Sequence, residues 1–337
     1  MRPIGVLGAG SWGTALAVHY AAQGQEVLLW ARRPEAAAML ARERRNEPYL
    51  PGVPLPEPLQ ITSDLAAVVE TDPILVVVPS HGYRQVLREI VRRFAPGEPR
   101  TLVSATKGIE LETRCRMSEV TAQEAERAGV AVRFAVLSGP NFAAELAIGM
   151  PSAAVVASPE EELATELQRR LATPSYRFYS SRDVAGVEIA GAAKNVIAIG
   201  AGVLSGLGLG HNTMAALITR GLHEITRLGV ACGGDLRTFS GLAGLGDLVL
   251  TCTGGLSRNR RTGIALAQGQ SLAEILASTT MVAEGVRTSV ALCELARERE
   301  VAMPITEQMV AILHEGKDPR RALEELMGRQ LKPESQL

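Results

Sequence analysis

The sequence predicts a two-domain protein, an α/β domain on a doubly wound parallel sheet followed by an all-helical domain. Three observations lead there. Short β-branched apolar runs alternate with helical stretches over the first half, and a glycine pattern sits where the first run turns into the first helix. After about residue 180 the strand signals stop, and Ala/Leu/Gly-rich helical stretches continue to the C-terminus. At 337 residues the chain exceeds the size at which a single core keeps growing, so domains over 1–180 and 181–337 are expected.

The rhythm begins with Ile4-Gly5-Val6-Leu7, a helix over Ser11 to Gln23, a strand over Val27 to Trp30 and a helix over Glu35 to Arg45. Strands alternating with helices at this spacing signal parallel pairing with crossover helices. Further strands fit Ile74 to Val78, Thr101 to Val103, Phe134 to Leu137 and Ala153 to Val156; the first is a continuous apolar run, as a strand covered on both faces requires. Prolines at 48, 51, 54 and 56 interrupt the pattern. They remove amide donors, so this stretch is expected to be a loop or lid-like excursion. Val184 to Leu209 is apolar enough to raise a membrane span, but Glu188, Lys194 and Asn195 lie inside it. A charge at a span centre costs about 2.5–3.5 kcal/mol, so a buried core helix is the better reading. Helices over Met214 to Leu228, Thr262 to Ala267, Thr288 to Arg299 and Ile305 to His314 complete the second domain, and Pro333 to Leu337 read as frayed.

Lys plus Arg (35) balances Asp plus Glu (36), leaving no field strong enough to gather nucleic acid or an anionic membrane. The expected partner is a small molecule. Cys115, Cys232, Cys252 and Cys293 lack CxxC spacing and the five histidines are not paired, so no metal site or disulfide framework is indicated. Reduced thiols and an N-terminus without a signal-peptide pattern point to a cytoplasmic setting.

Gly8-Ala9-Gly10-Ser11-Trp12-Gly13 follows the first strand and opens the first helix, the context that gives a GxGxxG match its meaning. Gly8 permits the tight turn, Gly10 lets a pyrophosphate approach the backbone, and Gly13 lets helix and strand pack closely, while the helix start supplies N–H groups and partial positive charge. The domain is therefore expected to be Rossmann-like and to bind a nicotinamide dinucleotide. An acidic residue normally ends the second strand and holds the ribose 2′-hydroxyl. Here the stretch reads Trp30-Ala31-Arg32-Arg33, and paired guanidinium groups suit a 2′-phosphate, so NADP(H) is favoured with NAD(H) as an alternative.

Of the basic residues only Lys107, Lys194, Lys317 and Lys332 are lysine. Arginine cannot give and take a proton at accessible pH, whereas a lysine in a dry or cationic site can. Lys194 shares a helix face with Val187, Ala190, Gly191, Ile197, Ala198 and Ala201, mostly small neighbours that would leave room for a ligand. Lys107 follows a strand at the carboxyl edge, where such sheets bind ligands. Beyond the glycine-rich stretch at 241–246, Asp247 could pair with a lysine, and Arg258 and Asn259 are donors of the kind a phosphate dianion needs.

Ten motifs now match a known family in order. They are GAGSWGTALA at 8–17, VPSH at 78–81, ATKGIE at 105–110, SGPNFAAE at 138–145, AGAAKNVIAIGAG at 190–202, AALITRGL at 215–222, SGLAGLGDLVLTCT at 240–253, SRNRRTG at 257–263, VAEGVRT at 282–288 and MGRQLKPE at 327–334. Over nearly its whole length the chain resembles the bacterial-type NAD(P)-dependent glycerol-3-phosphate dehydrogenases. The resemblance implies an oxidoreductase that interconverts dihydroxyacetone phosphate and sn-glycerol 3-phosphate, the latter for phospholipid synthesis. It implies that Lys194 exchanges the proton at the substrate's second carbon, with Lys107 and Asp247 beside it. Implied substrate contacts extend to Gly139, Asn141, Asn195, Thr251, Ser257, Arg258 and Asn259. Implied cofactor contacts are Ser11, Trp12, Arg32, Arg33, Tyr49, Lys107, Ala143, Arg258, Val282 and Glu284. Asn141 stands where the family often carries Ser or Thr, and is expected to donate a hydrogen bond in their place. A homodimer is implied by the family alone. Two rivals make distinct demands: a ketoacid dehydrogenase would present its site with a carboxylate, and a non-catalytic NADP(H) sensor would have no need of both lysines and Asp247.

Overall fold

A computed structural model describes residues 2–95, 97–278, 283–331 and 333–334. Val282, Lys332 and the final three residues lie outside the described residues. The chain forms two compact units. The first comprises Met1–Thr106 with Met117–Val184, and the second Lys107–Arg116 with Ala185–Leu337. The division expected at residue 180 falls a few residues later, and the short segment after Thr106 packs with the helical unit instead of its neighbours in sequence.

In the first unit the strands are β1 (Ile4–Leu7), β2 (Val27–Trp30), β3 (Arg45–Asn46), β4 (Leu50–Pro54), β5 (Gln60–Thr62), β6 (Ile74–Val76), β7 (Arg100–Ser104), β8 (Val132–Ser138), β9 (Ser152–Ala157) and β10 (Tyr176–Ser181). Interleaved helices are α1 (Ser11–Ala22), α2 (Pro34–Glu43), α3 (Leu65–Val69), α4 (Ser80–Val91), α5 (Met117–Ala128), α6 (Ala143–Ala147) and α7 (Glu161–Leu171). Eight strands form one sheet in the order β10-β9-β8-β7-β6-β1-β2-β5. β1 is central and fully buried because all its side chains are apolar or absent, and the strand order reverses beside it. The glycine turn at its carboxyl end therefore stands at the topological switch point, where ligands bind in such sheets.

Three features differ from the sequence reading. β5 and β10 carry no strong strand pattern, being short or half-exposed at the sheet's two ends. β9 runs antiparallel to β8, because residues 139–151 hold only the five-residue helix α6, too little to carry the chain back across the sheet. The proline-rich stretch is not simply a loop: β4 pairs antiparallel with β3 in a hairpin outside the main sheet, and Leu50, Val53 and Leu55 bury their side chains in the core.

The described secondary structure of the second unit is entirely helical. Its centre is α8 (Val184–Gly206), surrounded by α9 (His211–Ala231), α10 (Asp247–Thr253), α11 (Arg258–Ala267), α12 (Leu272–Ala277), α13 (Glu284–Glu298), α14 (Pro304–His314) and α15 (Pro319–Met327). α8 is long and apolar enough to cross a membrane by length and composition, yet it is buried inside the fold. Its Glu188 is neutralised by Arg116, 3.1 Å away. The small residues around Lys194 serve packing: Ala190, Ile197, Ala198 and Ala201 are core residues and do not line open space. Close backbone approach explains the glycines. A Cβ on Gly202 would lie 1.9 Å from Arg260 O, and one on Gly263 would lie 1.9 Å from Ile199 O, so α8 and α11 cross with their backbones in contact.

Candidate active site

Within the helical unit the sequence-singled lysines meet one carboxylate. Lys194 Nζ donates to Asp247 Oδ1 at 2.6 Å and to Thr251 Oγ1 at 2.7 Å, while Lys107 Nζ donates to Asp247 Oδ2 at 2.6 Å. Local sequence builds this arrangement. A π-helical turn over Leu242–Gly246 leads into α10, and Gly244 is required because a Cβ there would sit 2.1 Å from Phe239 O. Asp247 thus begins α10, and Thr251, four residues on, shares its face and returns a hydrogen bond to Asp247 O at 2.6 Å.

Asp247 is 1% exposed and Lys194 7%, so this pair is buried, while Lys107 is partly exposed. Burial pushes the Lys194 ammonium down to about 8; Asp247 opposes that fall and the like charge of Lys107 adds to it. Burial alone would raise the Asp247 carboxyl, but the two ammonium groups together hold it below its ordinary value. Cys252, also buried nearby, has its thiol pushed up to about 12 by burial, which leaves it a neutral packing group. An ammonium has three donors, and Lys194 spends two on Asp247 and Thr251. The third has no acceptor among the described residues.

Asn195 and Asn259 are both buried and linked: Asn259 Nδ2 donates to Asn195 Oδ1 at 2.9 Å, Asn195 Nδ2 to Gly191 O at 3.3 Å, and Gly285 N to Asn259 Oδ1 at 3.1 Å. Each amide retains one free hydrogen at most, so much of their role is to join α8, α11 and the start of α13. Ser257 caps α11, accepting from Arg260 N at 3.2 Å. Arg258, the first residue of that helix, is half-buried and its guanidinium has no hydrogen bond among the described residues. Burial lowers its pKa, with the Glu284 charge opposing. A desolvated cation beside a helix start is what a phosphate dianion would satisfy.

In the first unit the fingerprint glycines behave as their spacing predicts. Gly8 has φ +119°, and a Cβ on Gly13 would lie 1.9 Å from Gly8 O. A Cβ on Gly10 would meet nothing within 4 Å, so the space a pyrophosphate needs is there. Ser11 and Trp12 open α1 on the same turn, and Trp12 Nε1 is buried without an acceptor among the described residues. The residues fit a dinucleotide. Arg32 and Arg33 follow β2, exposed and unpaired among the described residues, and Tyr49 is half-buried at the turn of the β3–β4 hairpin. Gly139, at φ +145°, leaves β8, and Ala143 begins α6. Asn141 donates one amide hydrogen to Ala153 O at 3.1 Å and keeps the second, while its buried Oδ1 has no partner among the described residues. Two contributors escaped the sequence reading. Asn46 bonds the fingerprint turn itself, and Arg116 fixes the segment that carries Lys107; neither lies in a pattern that spacing alone would flag.

Residues 3–164 match the family described as NAD-dependent glycerol-3-phosphate dehydrogenase N-terminus, and residues 183–324 match the corresponding C-terminus. A glycerol-3-phosphate dehydrogenase [NAD(P)+] of Geobacter sulfurreducens is 51% identical over 98% of this chain and 98% of its own. One from Nitratidesulfovibrio vulgaris is 50% identical over 98% and 99%. The crystal structure of glycerol-3-phosphate dehydrogenase from Coxiella burnetii superposes with a TM-score of 0.92 at 41% identity, covering 97% of this chain and 99% of that one.

Proposed function

The chain belongs to the NAD-dependent glycerol-3-phosphate dehydrogenase family, and from that premise we propose that Lys194 is the acid and base of its reaction, with Asp247 and Lys107 setting its charge. The protein is an oxidoreductase that interconverts dihydroxyacetone phosphate and sn-glycerol 3-phosphate with NAD(P)H. The bound dinucleotide supplies or accepts the hydride at the substrate's second carbon.

In the reductive direction, the free N–H of Lys194 faces the ketone oxygen and gives it a proton as negative charge develops there. The amine left behind is neutral, hydrogen-bonded to Thr251 and next to a carboxylate still paired with Lys107. In the oxidative direction the neutral amine takes the hydroxyl proton. A pKa of about 8 lets one group serve both tasks near neutral pH. Arg258 and the start of α11 bind the substrate phosphate, with Asn195, Thr251, Ser257 and Asn259 shaping that end and Gly139 and Asn141 completing the contacts that family membership supports. The glycine turn, Ser11 and Trp12 hold the pyrophosphate, Arg32 and Arg33 the 2′-phosphate, and Tyr49, Ala143, Val282 and Glu284 the remainder of the dinucleotide. Residues 1–180 serve mainly the cofactor and 181–337 the substrate. The family also supports a homodimer in the cytoplasm making glycerol 3-phosphate for phospholipids; sedimentation as a monomer would set the dimer aside.

One observation carries the assignment of roles: the Lys194 amine is buried, bonded to Asp247 and Thr251, and retains one donor. Replacing Lys194 with Ala should lower turnover by about 10²- to 10⁴-fold while leaving NADPH affinity intact. Near-normal turnover with dihydroxyacetone phosphate would reject the role.

A further inference from the structure

Gly8 and Gly13 are held by packing, but Gly10 has nothing within 4 Å of where a Cβ would stand. Packing at the Gly10 Cα therefore does not hold the peptide before it, and a hydrogen bond does. Asn46, 2% exposed, spends both amide hydrogens there: Nδ2 donates to Ala9 O at 3.0 Å and to Thr14 Oγ1 at 2.7 Å. Ala9 C=O and Gly10 N–H belong to one planar trans peptide and point to opposite sides, so fixing the carbonyl aims the N–H. On the other side Gly10 O is taken by Thr14 N at 2.9 Å. The same asparagine ends β3 of the hairpin that carries Tyr49, whose N–H donates to Asn46 O at 3.1 Å. Arg44, at φ +50°, turns the chain into that hairpin, accepts from Leu55 N just past β4 at 2.9 Å and donates to Leu59 O at 3.0 Å in the segment that follows.

We propose that Asn46 is a positioning residue of the dinucleotide site, holding the Ala9–Gly10 peptide so that Gly10 N–H faces the pyrophosphate and tying the Tyr49 hairpin to that turn. This rests on the reading of the glycine turn as the pyrophosphate site. An apolar residue at 46 would leave Ala9 O unclamped, and an aspartate would set a carboxylate against it. A role confined to fold stability predicts only a lower melting temperature.

The test is equilibrium titration of the purified full-length protein and its Asn46→Ala variant with NADPH, NADH and adenosine 2′-monophosphate, which carries the adenosine and 2′-phosphate with neither phosphate of the pyrophosphate. Affinity for NADPH and for NADH should fall alike, by about tenfold, the worth of one well-placed hydrogen bond. Affinity for the monophosphate, turnover at saturating NADPH and the KM for dihydroxyacetone phosphate should stay within about twofold. Unchanged NADPH affinity in the folded variant, or an equal loss for the monophosphate, would overturn the proposal. Should Asn46→Ala fail to fold, Asn46→Asp, which keeps the shape and loses the donor, faces the same outcomes. A wild-type protein that bound neither dinucleotide would instead overturn the underlying reading.

Discussion

Lys107 and Lys194 each bind a different oxygen of the Asp247 carboxylate, both at 2.6 Å, so one negative charge stands between two positive ones. The net positive cluster keeps Lys194 at about 8, with burial the largest cause and the charge of Lys107 assisting. In the reductive direction Lys194 must be protonated, so activity is present below that pH and lost as pH rises through it. Replacing Lys107 with Met removes the repulsion and should raise the Lys194 pKa, moving the alkaline limb of the pH profile to higher pH even as the rate falls by about a hundredfold. Asp247→Asn should move the limb the other way, since burial and Lys107 then act unopposed. Profiles of dihydroxyacetone phosphate reduction for the three proteins check this; limbs that do not move in opposite directions would mean the limb belongs to another group.

Arg32 and Arg33 stand exposed at the end of β2, where a carboxylate would have favoured the 2′-hydroxyl of NADH. A hydrogen bond to a charged group is worth about 1.5–3 kcal/mol, so replacing both with Ala should weaken NADPH by roughly tenfold or more per bond lost. NADH, lacking the phosphate, should be nearly unaffected. Fluorescence titration with both cofactors decides it, and equal weakening would remove the 2′-phosphate assignment.

How far these residues could be read from sequence follows from the range of the forces that place them. The glycine turn, β1 and α1 are local, so spacing alone located them, and the apolar central strands announced themselves because both faces are covered. β10 did not, because at the end of the sheet its Arg177 and Tyr179 face solvent and break the apolar run. The antiparallel β9 depended on how short α6 is, which motif spacing does not report. Lys107, Lys194 and Asp247 were visible as unusual residue types, yet their meeting required segments 53 and 140 positions apart, and only the fold brings them together. Asn46 was silent for the same reason: an asparagine before a proline-rich stretch reads as turn chemistry until its amide is seen on Ala9.

A second buried carboxylate makes a stability prediction of opposite sense to ordinary acid denaturation. Glu224 of α9 caps α14 across the helical unit, accepting from Ile305 N at 2.6 Å, from Thr306 N at 3.2 Å and from Thr306 Oγ1 at 3.2 Å. Burial pushes its carboxyl up to about 7 from an ordinary 4.5, and the helix-start donors and Arg227 oppose that only in part. The folded protein therefore holds this proton more tightly than the unfolded chain. The contribution is fully present below pH 4.5 and is lost as pH rises through about 7. The difference corresponds to about 3 kcal/mol, an order-of-magnitude figure. Glu224→Gln keeps an acceptor for the helix start and cannot ionise, so it should abolish this slope. Urea midpoints of wild type and variant across pH 5 to 8 should converge toward the acid end and separate toward the alkaline end, with the variant the more stable there. A wild type that gains stability over the variant as pH rises would show that Glu224 is ionised in the folded protein and that its bonds to Ile305 and Thr306 outweigh its burial.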